Sequence, residues 1–131
     1  MKTPQQTKIY LACPYSHPTL VIRERRFKAV NYVAAQFMAG GFLVFSPISH
    51  THPIAEAGDL PKGWEFWESY DRTFLEWCDR LHVLKLPGWR ESIGVAAEIQ
   101  IAGQLGKPVF YHSVHGAINF INSCRSAKSA V

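Results

Sequence analysis

Four short apolar segments recur along this chain, and stretches long enough for helices separate them. The segments that we interpret as strands are Ile9–Cys13, Phe42–Phe45, Leu81–Leu86 and Val109–Tyr111. Helices are predicted over residues 20–39, 63–79, 92–105 and, more weakly, 115–125. Parallel strands need such crossovers, which are almost always right-handed. The pattern predicts an α/β protein, a Rossmann-like or flavodoxin-like three-layer sandwich whose mainly parallel sheet has the order 2-1-3-4, with a possible fifth strand.

One stretch does not fit this alternation. Residues 46–62 contain Pro47, Pro53 and Pro61 together with turn-forming glycine and aspartate, so we predict a long loop there. Loops of this length in compact domains commonly carry function.

The composition narrows the class of protein. A chain of 131 residues suits one domain, 1–131, and its 47% hydrophobic and 18% charged residues exclude a disordered chain. No apolar run approaches the ~20 residues that span a bilayer, and the first apolar segment is too short for a signal peptide. The three cysteines lack CxxC spacing, which disfavours disulfides and structural zinc. A reducing cytoplasm is therefore the expected location, without membrane attachment.

The net charge of +4 comes partly from a basic cluster on the first predicted helix, formed by Arg23, Arg25, Arg26 and Lys28. We interpret the cluster as a solvated helix face, because a nucleic-acid surface needs a longer stripe with interleaved aromatic residues. Binding to a nucleic-acid polymer is therefore not expected. The sequence also lacks a glycine-rich phosphate loop of the dinucleotide or Walker type, so we expect no cofactor.

The predicted topology indicates where a ligand binds. Open α/β sheets bind ligands outside the carboxyl ends of their strands, at the point where the strand order reverses. With the order 2-1-3-4, that point lies between the first and third strands. The loops 13–19 and 87–92 flank it, so we expect the binding site between these two loops.

Two carboxylates occupy helix positions where a charge is unexpected. Asp71 lies on the apolar stripe of the second predicted helix, and Glu98 is the only charged residue between positions 92 and 106. The helix around Glu98 is apolar on all sides, which predicts burial on both sides. A buried carboxylate needs a partner or a pocket, and the loss of water raises its pKa. Either structural partners satisfy the two groups, or they perform acid–base and nucleophilic chemistry at a sugar carbon.

Several motifs resemble the nucleoside 2-deoxyribosyltransferase-like superfamily. The segment 9–15, Ile-Tyr-Leu-Ala-Cys-Pro-Tyr, is similar to its first strand, and the segment 92–98, Ser-Ile-Gly-Val-Ala-Ala-Glu, to its nucleophile helix. Residues 106–109 are similar to the strand that follows, and Asp71 matches the second carboxylate. The nucleophile helix is most similar to the branch that hydrolyses the N-glycosidic bond of deoxynucleoside monophosphates. Over residues 8–111 the chain also resembles an uncharacterised bacterial and phage group of this superfamily.

This resemblance implies a reaction. Glu98 would be the nucleophile that attacks the anomeric carbon, and Asp71 would position Glu98 or protonate the departing base. The substrate would be a nucleoside or a nucleoside 5′-monophosphate, and the protein would form a dimer or tetramer. The identity of the base and sugar, and the choice between hydrolysis and transfer, stay open. The rival interpretation is a non-catalytic module that binds a nucleotide, or a signal derived from one, in the same crevice.

The resemblance also implies binding residues. A 5′-phosphate would lie at the start of the third long helix, where unpaired backbone amides and the helix dipole favour an anion. The opposite wall would come from the loop after the first strand, and one arginine would add positive charge. In chain order these substrate-binding residues are Tyr15, Ser16, Arg90, Ser92, Ile93 and Gly94.

Other constellations have less support. His50 and His52 could share a metal with His17, but no third ligand has suitable spacing, so we expect no metal and favour a plain loop or a ligand contact. Cys13 lacks an evident base partner and is interpreted as a small buried residue rather than a nucleophile.

Overall fold

The computed structural model describes residues 3–129, and a four-stranded sheet organises it. The strands are β1 (Lys8–Ala12), β2 (Leu43–Phe45), β3 (Arg80–Leu84) and β4 (Val109–His112). All three strand pairs are parallel, and the order is β2-β1-β3-β4. The predicted α/β class and strand order are therefore confirmed, with strand ends that shift by one or two residues.

Helices cover both faces of the sheet. They are α1 (Leu20–Ala39), α2 (Pro47–Gly58), α3 (Trp64–Trp77), α4 (Ile93–Gln104) and α5 (Val114–Ser129), and a 3-10 helix (Pro4–Gln6) precedes β1. Successive residues of β1 point to opposite faces. Ile9 and Leu11 pack against α1 and α5, whereas Tyr10 and Ala12 pack on the side of α3 and α4. The two cores give the three-layer arrangement, and the second of them borders the site described below.

The predicted loop over residues 46–62 was wrong, because most of it forms α2. Ser46 caps this helix by accepting a hydrogen bond from the Ser49 amide at 3.3 Å, and Pro47 occupies the first position, where proline favours a helix. Pro53 lies inside α2 but on its exposed side, where water can replace the hydrogen bond that proline cannot make. His52 lies on the buried side, and the burial of that side stabilises the helix despite its prolines.

The predicted burial of α4 on both sides was also wrong. Glu98 and Ile101 are buried, but Ile93 is 74% exposed. The exposed side consists largely of small or polar residues, which leave little apolar area in water. On α3, Asp71 and Leu75 form the buried line.

Among residues 3–129, no helix is both long and apolar enough to cross a membrane.

Candidate active site

A cavity of about 650 Å³ opens at the carboxyl ends of β1, β2 and β3. Its walls are the loop between β1 and α1, the buried side of α2, the first turns of α3 and the first turns of α4. Pockets of this volume hold nucleotide-sized ligands. The cavity lies at the topological switch point that the sequence indicated.

The two unexpected carboxylates line this cavity together. Asp71 is 8% exposed and Glu98 is 5% exposed. The Tyr10 hydroxyl donates a hydrogen bond to Glu98 Oε2. Within the described part of the chain, Asp71 Oδ1 has no hydrogen-bond partner although it is buried. A buried carboxylate oxygen without a protein donor is costly, so this atom is well suited to a ligand hydrogen bond.

Burial dominates the electrostatics of the pair. It raises the pKa of Asp71 to about 7 and the pKa of Glu98 to about 8, with the negative charge of Asp71 as a further cause at Glu98. The hydrogen bond that the Tyr10 hydroxyl donates to Glu98 opposes the shift of Glu98, and the pKa of Tyr10 itself is raised well above the usual value, mainly by burial. Near neutral pH such a coupled pair retains a proton, so that one group can act as an acid while the other is a base.

Tyr10 was missed as a site residue because it was counted only as part of an apolar strand. Two signals could have identified it. The two-residue alternation of a strand places Tyr10 on the same face of the sheet as Ala12, beside the helices that carry the carboxylates. A buried tyrosine also needs a partner for its hydroxyl, and a carboxylate is a strong one.

The start of α4 contributes the next part of the wall. Ser92 caps the helix, because its Oγ accepts from the Val95 amide at 3.2 Å. The amides of Ile93 and Gly94 precede the intrahelical bonds and are available to a ligand. Ser92, Ile93 and Gly94 all line the cavity, as does Glu91.

Arg90, predicted as a cavity residue, lies outside the cavity wall. It is exposed, and its guanidinium packs over the Trp89 ring at 5.2 Å from the ring centroid. The cation that lines the cavity is Lys62, from the connection between α2 and α3. Its Nζ lies 3.6 Å from Glu56 Oε1. The sequence did not single out Lys62 because it fell at the end of the predicted loop.

Tyr15 and Ser16, predicted to bind substrate, line the opposite wall. The Tyr15 hydroxyl forms a hydrogen bond with His52 Nδ1, and Ser16 Oγ donates to the Lys62 carbonyl at 3.2 Å. His52 is 7% exposed, and its Nε2 lies 3.1 Å from Glu24 Oε1. The wall at α2 therefore carries a chain of polar groups that reaches back to α1.

The three histidines considered for metal binding have separate partners. His50 stacks on Phe45 with ring centroids 4.9 Å apart, while His52 points into the cavity wall. The His17 ring accepts from the Thr19 amide at 3.0 Å. Among residues 3–129, no group of three or more His, Cys, Asp or Glu side chains is arranged to hold a metal ion.

Part of the basic cluster holds the two loops at the cavity in place. Arg26 donates to the Ser16 carbonyl at 2.9 Å and to the Pro87 carbonyl at 3.0 Å. Gly88, at φ +92°, makes room for this guanidinium, since a Cβ there would lie 2.6 Å from it. The interpretation of Arg26 as part of a solvated face was therefore wrong. Its carbonyl partners lie in loops that were expected to flank the ligand.

Comparisons with known proteins identify one family. Residues 7–114 match a family model described as a domain of unknown function, DUF1937. The match covers most of the chain, so the chain belongs to the DUF1937 family. A search of curated proteins found no match. The family description assigns no activity, and the resemblance to the nucleoside 2-deoxyribosyltransferase-like superfamily stays a prediction.

Proposed function

We propose that this member of the DUF1937 family cleaves, or transfers at, the N-glycosidic bond of a nucleoside or nucleoside 5′-monophosphate. One observation supports this function most strongly. Asp71 and Glu98, both desolvated, line one nucleotide-sized cavity, and the buried Tyr10 hydroxyl donates a hydrogen bond to Glu98. A purely structural carboxylate would be paired, whereas Asp71 Oδ1 lacks a partner among residues 3–129.

The first step in this proposal forms a glycosyl ester. A Glu98 carboxylate oxygen attacks C1′ while the bond from C1′ to the base nitrogen breaks, and its electron pair leaves with the base. The reactive form of the pair holds its one proton on Asp71, which gives it to the departing base, and leaves Glu98 ionised although burial raises the pKa of Glu98 as well. The hydrogen bond from Tyr10 orients Glu98 and stabilises the ionised carboxylate that must attack.

The second step releases the sugar. Water, or the ring nitrogen of a second base, attacks C1′ and displaces the Glu98 carboxylate, and the proton lost by the attacking group returns to Asp71. With water the reaction is hydrolysis, and with a second base it is transfer. Both outcomes use the same residues.

The function is tested by incubating the protein with deoxynucleosides, ribonucleosides and their 5′-monophosphates, and by measuring free base chromatographically. Release of base from at least one substrate supports the proposal. Tight binding of a nucleotide without any release supports the non-catalytic nucleotide-binding module instead.

Asp71→Asn should slow the reaction most for substrates with poor leaving bases. The asparagine side chain preserves size but cannot give a proton to the base. We expect about a 10²–10⁴-fold loss of kcat for bases that leave only when protonated, and a smaller loss for a nitrophenyl or fluorinated leaving group. Equal losses across leaving groups would contradict the role of Asp71 as proton donor.

A 5′-phosphate should bind at the start of α4. Ser92 Oγ accepts from the Val95 amide, so its O–H remains free to donate to phosphate beside the Ile93 and Gly94 amides. In a calorimetric titration, Ser92→Ala should weaken the binding of a nucleoside 5′-monophosphate by about 1.5–3 kcal/mol and should change the binding of the nucleoside little.

Because Ser92→Ala also removes a helix cap, Ser113→Ala is the matched control. Ser113 caps α5 through the Gly116 amide at 2.9 Å and does not line the cavity. It should lower stability to a similar degree, typically about 1 kcal/mol, without changing phosphate affinity. Equal affinity of wild type for a nucleoside and its 5′-monophosphate would argue against a phosphate site.

A cytoplasmic location and a dimeric or tetrameric assembly stay predictions of this proposal. The described residues contain three free thiols, Cys13, Cys78 and Cys124, which suit a reducing compartment. Ile93, 74% exposed at the edge of the cavity, is an apolar side chain that a second copy could cover.

A further inference from the structure

The wall at α2 carries a polar chain that the proposed mechanism does not use. The Tyr15 hydroxyl, the His52 ring and the Glu24 carboxylate form it in that order, linking the cavity through α2 to α1. Phe27 packs against the His52 ring with centroids 4.4 Å apart, so the ring is held in one orientation. Two walls of one cavity therefore carry polar groups, but only the carboxylate wall has a role in bond cleavage.

For the neutral imidazole of His52, hydrogen-bond logic fixes the direction of this chain. A carboxylate only accepts, so His52 Nε2, 3.1 Å from Glu24 Oε1, carries a proton. In the neutral imidazole, Nδ1 is then an acceptor, and the Tyr15 O–H donates to it. The nearest competing carboxylate, Glu56 Oε1, lies 3.9 Å from Nδ1, beyond hydrogen-bond distance. The Tyr15 proton is thus committed to His52.

This commitment determines what Tyr15 can offer a ligand. A phenolic oxygen has one proton and two lone pairs. The proton goes to His52, which leaves a free lone pair on the oxygen that can accept from a ligand. Tyr15 lines the cavity. A ligand therefore meets a hydrogen-bond acceptor at this point and not a donor.

The position of the chain indicates which part of a nucleotide it meets. The proposed phosphate site follows β3, the nucleophile Glu98 lies on the same helix, and α2 follows β2 on the far side of β1. A nucleotide with its phosphate at α4 and its C1′ at Glu98 extends its base toward α2. The indoles of Trp64 and Trp67 also line the cavity and supply flat surfaces of the kind that bases stack on.

We propose that Tyr15, positioned by His52 and Glu24, reads the base, and selects a 6-aminopurine or a 4-aminopyrimidine over the corresponding oxo base. The amino group donates to the free lone pair of Tyr15, whereas an oxo group there would face it with a second acceptor. This inference rests on the proposed function and names its substrate class. Tyr15 is a specificity residue in this scheme, and His52 and Glu24 are positioning residues.

The test is a calorimetric titration with matched pairs of ligands. Wild type should bind 2′-deoxyadenosine 5′-monophosphate about tenfold more tightly than its 2′-deoxyinosine counterpart, and the cytidine nucleotide more tightly than the uridine one. Tyr15→Phe should reduce each preference to within about twofold, because it weakens the binding of the nucleotide with the amino base. Tyr32→Phe, the same change at a 53% exposed tyrosine outside the cavity wall, should leave both preferences intact.

Variants of the positioning residues give a signature that a structural role would not produce. His52→Phe frees the Tyr15 hydroxyl to turn and donate, so the oxo ligands should gain affinity while the amino ligands lose it. Glu24→Gln keeps an acceptor for the Nε2 proton and should retain the amino preference. A loss of fold would instead weaken all ligands together.

The outcomes separate this inference from the function on which it rests. Equal binding of the two members by wild type, a preference that Tyr15→Phe leaves unchanged, or a preference for the oxo bases would overturn the base-reading role while nucleotide binding stands. Failure of every nucleotide to bind would overturn the proposed function itself.

Discussion

Glu98→Gln should abolish base release and, at pH 8–9, unfold at a higher temperature than wild type. The amide cannot attack C1′, and loss of a catalytic nucleophile costs more than about a thousandfold in kcat. The same change removes a carboxylate that burial forces to ionise only above its usual range. We expect a gain on the order of 2–4 kcal/mol in the free energy of unfolding at that pH. The glutamine oxygen still accepts the hydrogen bond from Tyr10, so the fold keeps that contact.

The matched control is Glu91→Gln. Glu91 also lines the cavity, but it is exposed, so its conversion to an amide should change neither base release nor melting temperature measurably. Glu98→Ala is a harsher variant, which leaves a void and removes the acceptor of the Tyr10 hydroxyl. A large fall in the melting temperature of Glu98→Gln, combined with no base release by wild type from any nucleoside or monophosphate, would identify Glu98 as structural and favour the non-catalytic interpretation.

The sheet and the carboxylates could be predicted from the sequence because local pattern determines them. Alternation of strands with helix-length segments leaves few topologies once crossovers must be right-handed. Asp71 and Glu98 interrupt an otherwise apolar helical face, so their place on the helix indicates burial before any tertiary contact is known. Their common cavity then follows from the order of the strands.

The parts that could not be predicted depend on contacts distant in sequence. Glu24 and His52 are 28 positions apart, and they meet only because α1 packs against α2. Helix α2 itself was hidden by its prolines, which predict a loop when each is counted as a helix breaker. Arg90 was chosen for its charge and its place in sequence, but stacking on Trp89 directs it away from the cavity.

The stability of wild type should change little between pH 6.5 and pH 4.5, because two groups of buried residues oppose each other. On the other face of the sheet, His82 is fully buried, and its Nδ1 lies 2.8 Å from His112 Nε2. Burial is the main cause that lowers the pKa of His82 to about 2 and also lowers the pKa of His112, and Arg80 contributes to both shifts. Within residues 3–129, His82 Nε2 is buried without a partner, which agrees with a neutral ring.

The signs of the two contributions follow from proton linkage. The unfolded histidines bind protons below about pH 6.5 and the folded ones do not. As the pH falls below this value, the free energy of unfolding therefore decreases by up to about 1.4 kcal/mol per pH unit for each ring. Asp71 and Glu98 act in the opposite sense. Their folded pKa values are raised, so the folded state retains protons that the unfolded state releases above about pH 4, and stability grows as the pH falls from 8 toward 4.

A variant that lacks a residue from one of the two groups should show the pH dependence of stability that the other group causes. Relative to wild type, Glu98→Gln should lose on the order of 3 kcal/mol between pH 7.5 and pH 4.5 in urea unfolding, because the slope from the histidines is then opposed by Asp71 alone. His82→Phe, which keeps a ring against Phe110, should instead become more stable as the pH falls. If the three proteins gave parallel pH profiles, neither group would titrate with the shifts that burial imposes. The raised pKa values on which the acid–base roles of Asp71 and Glu98 depend would then be wrong as well.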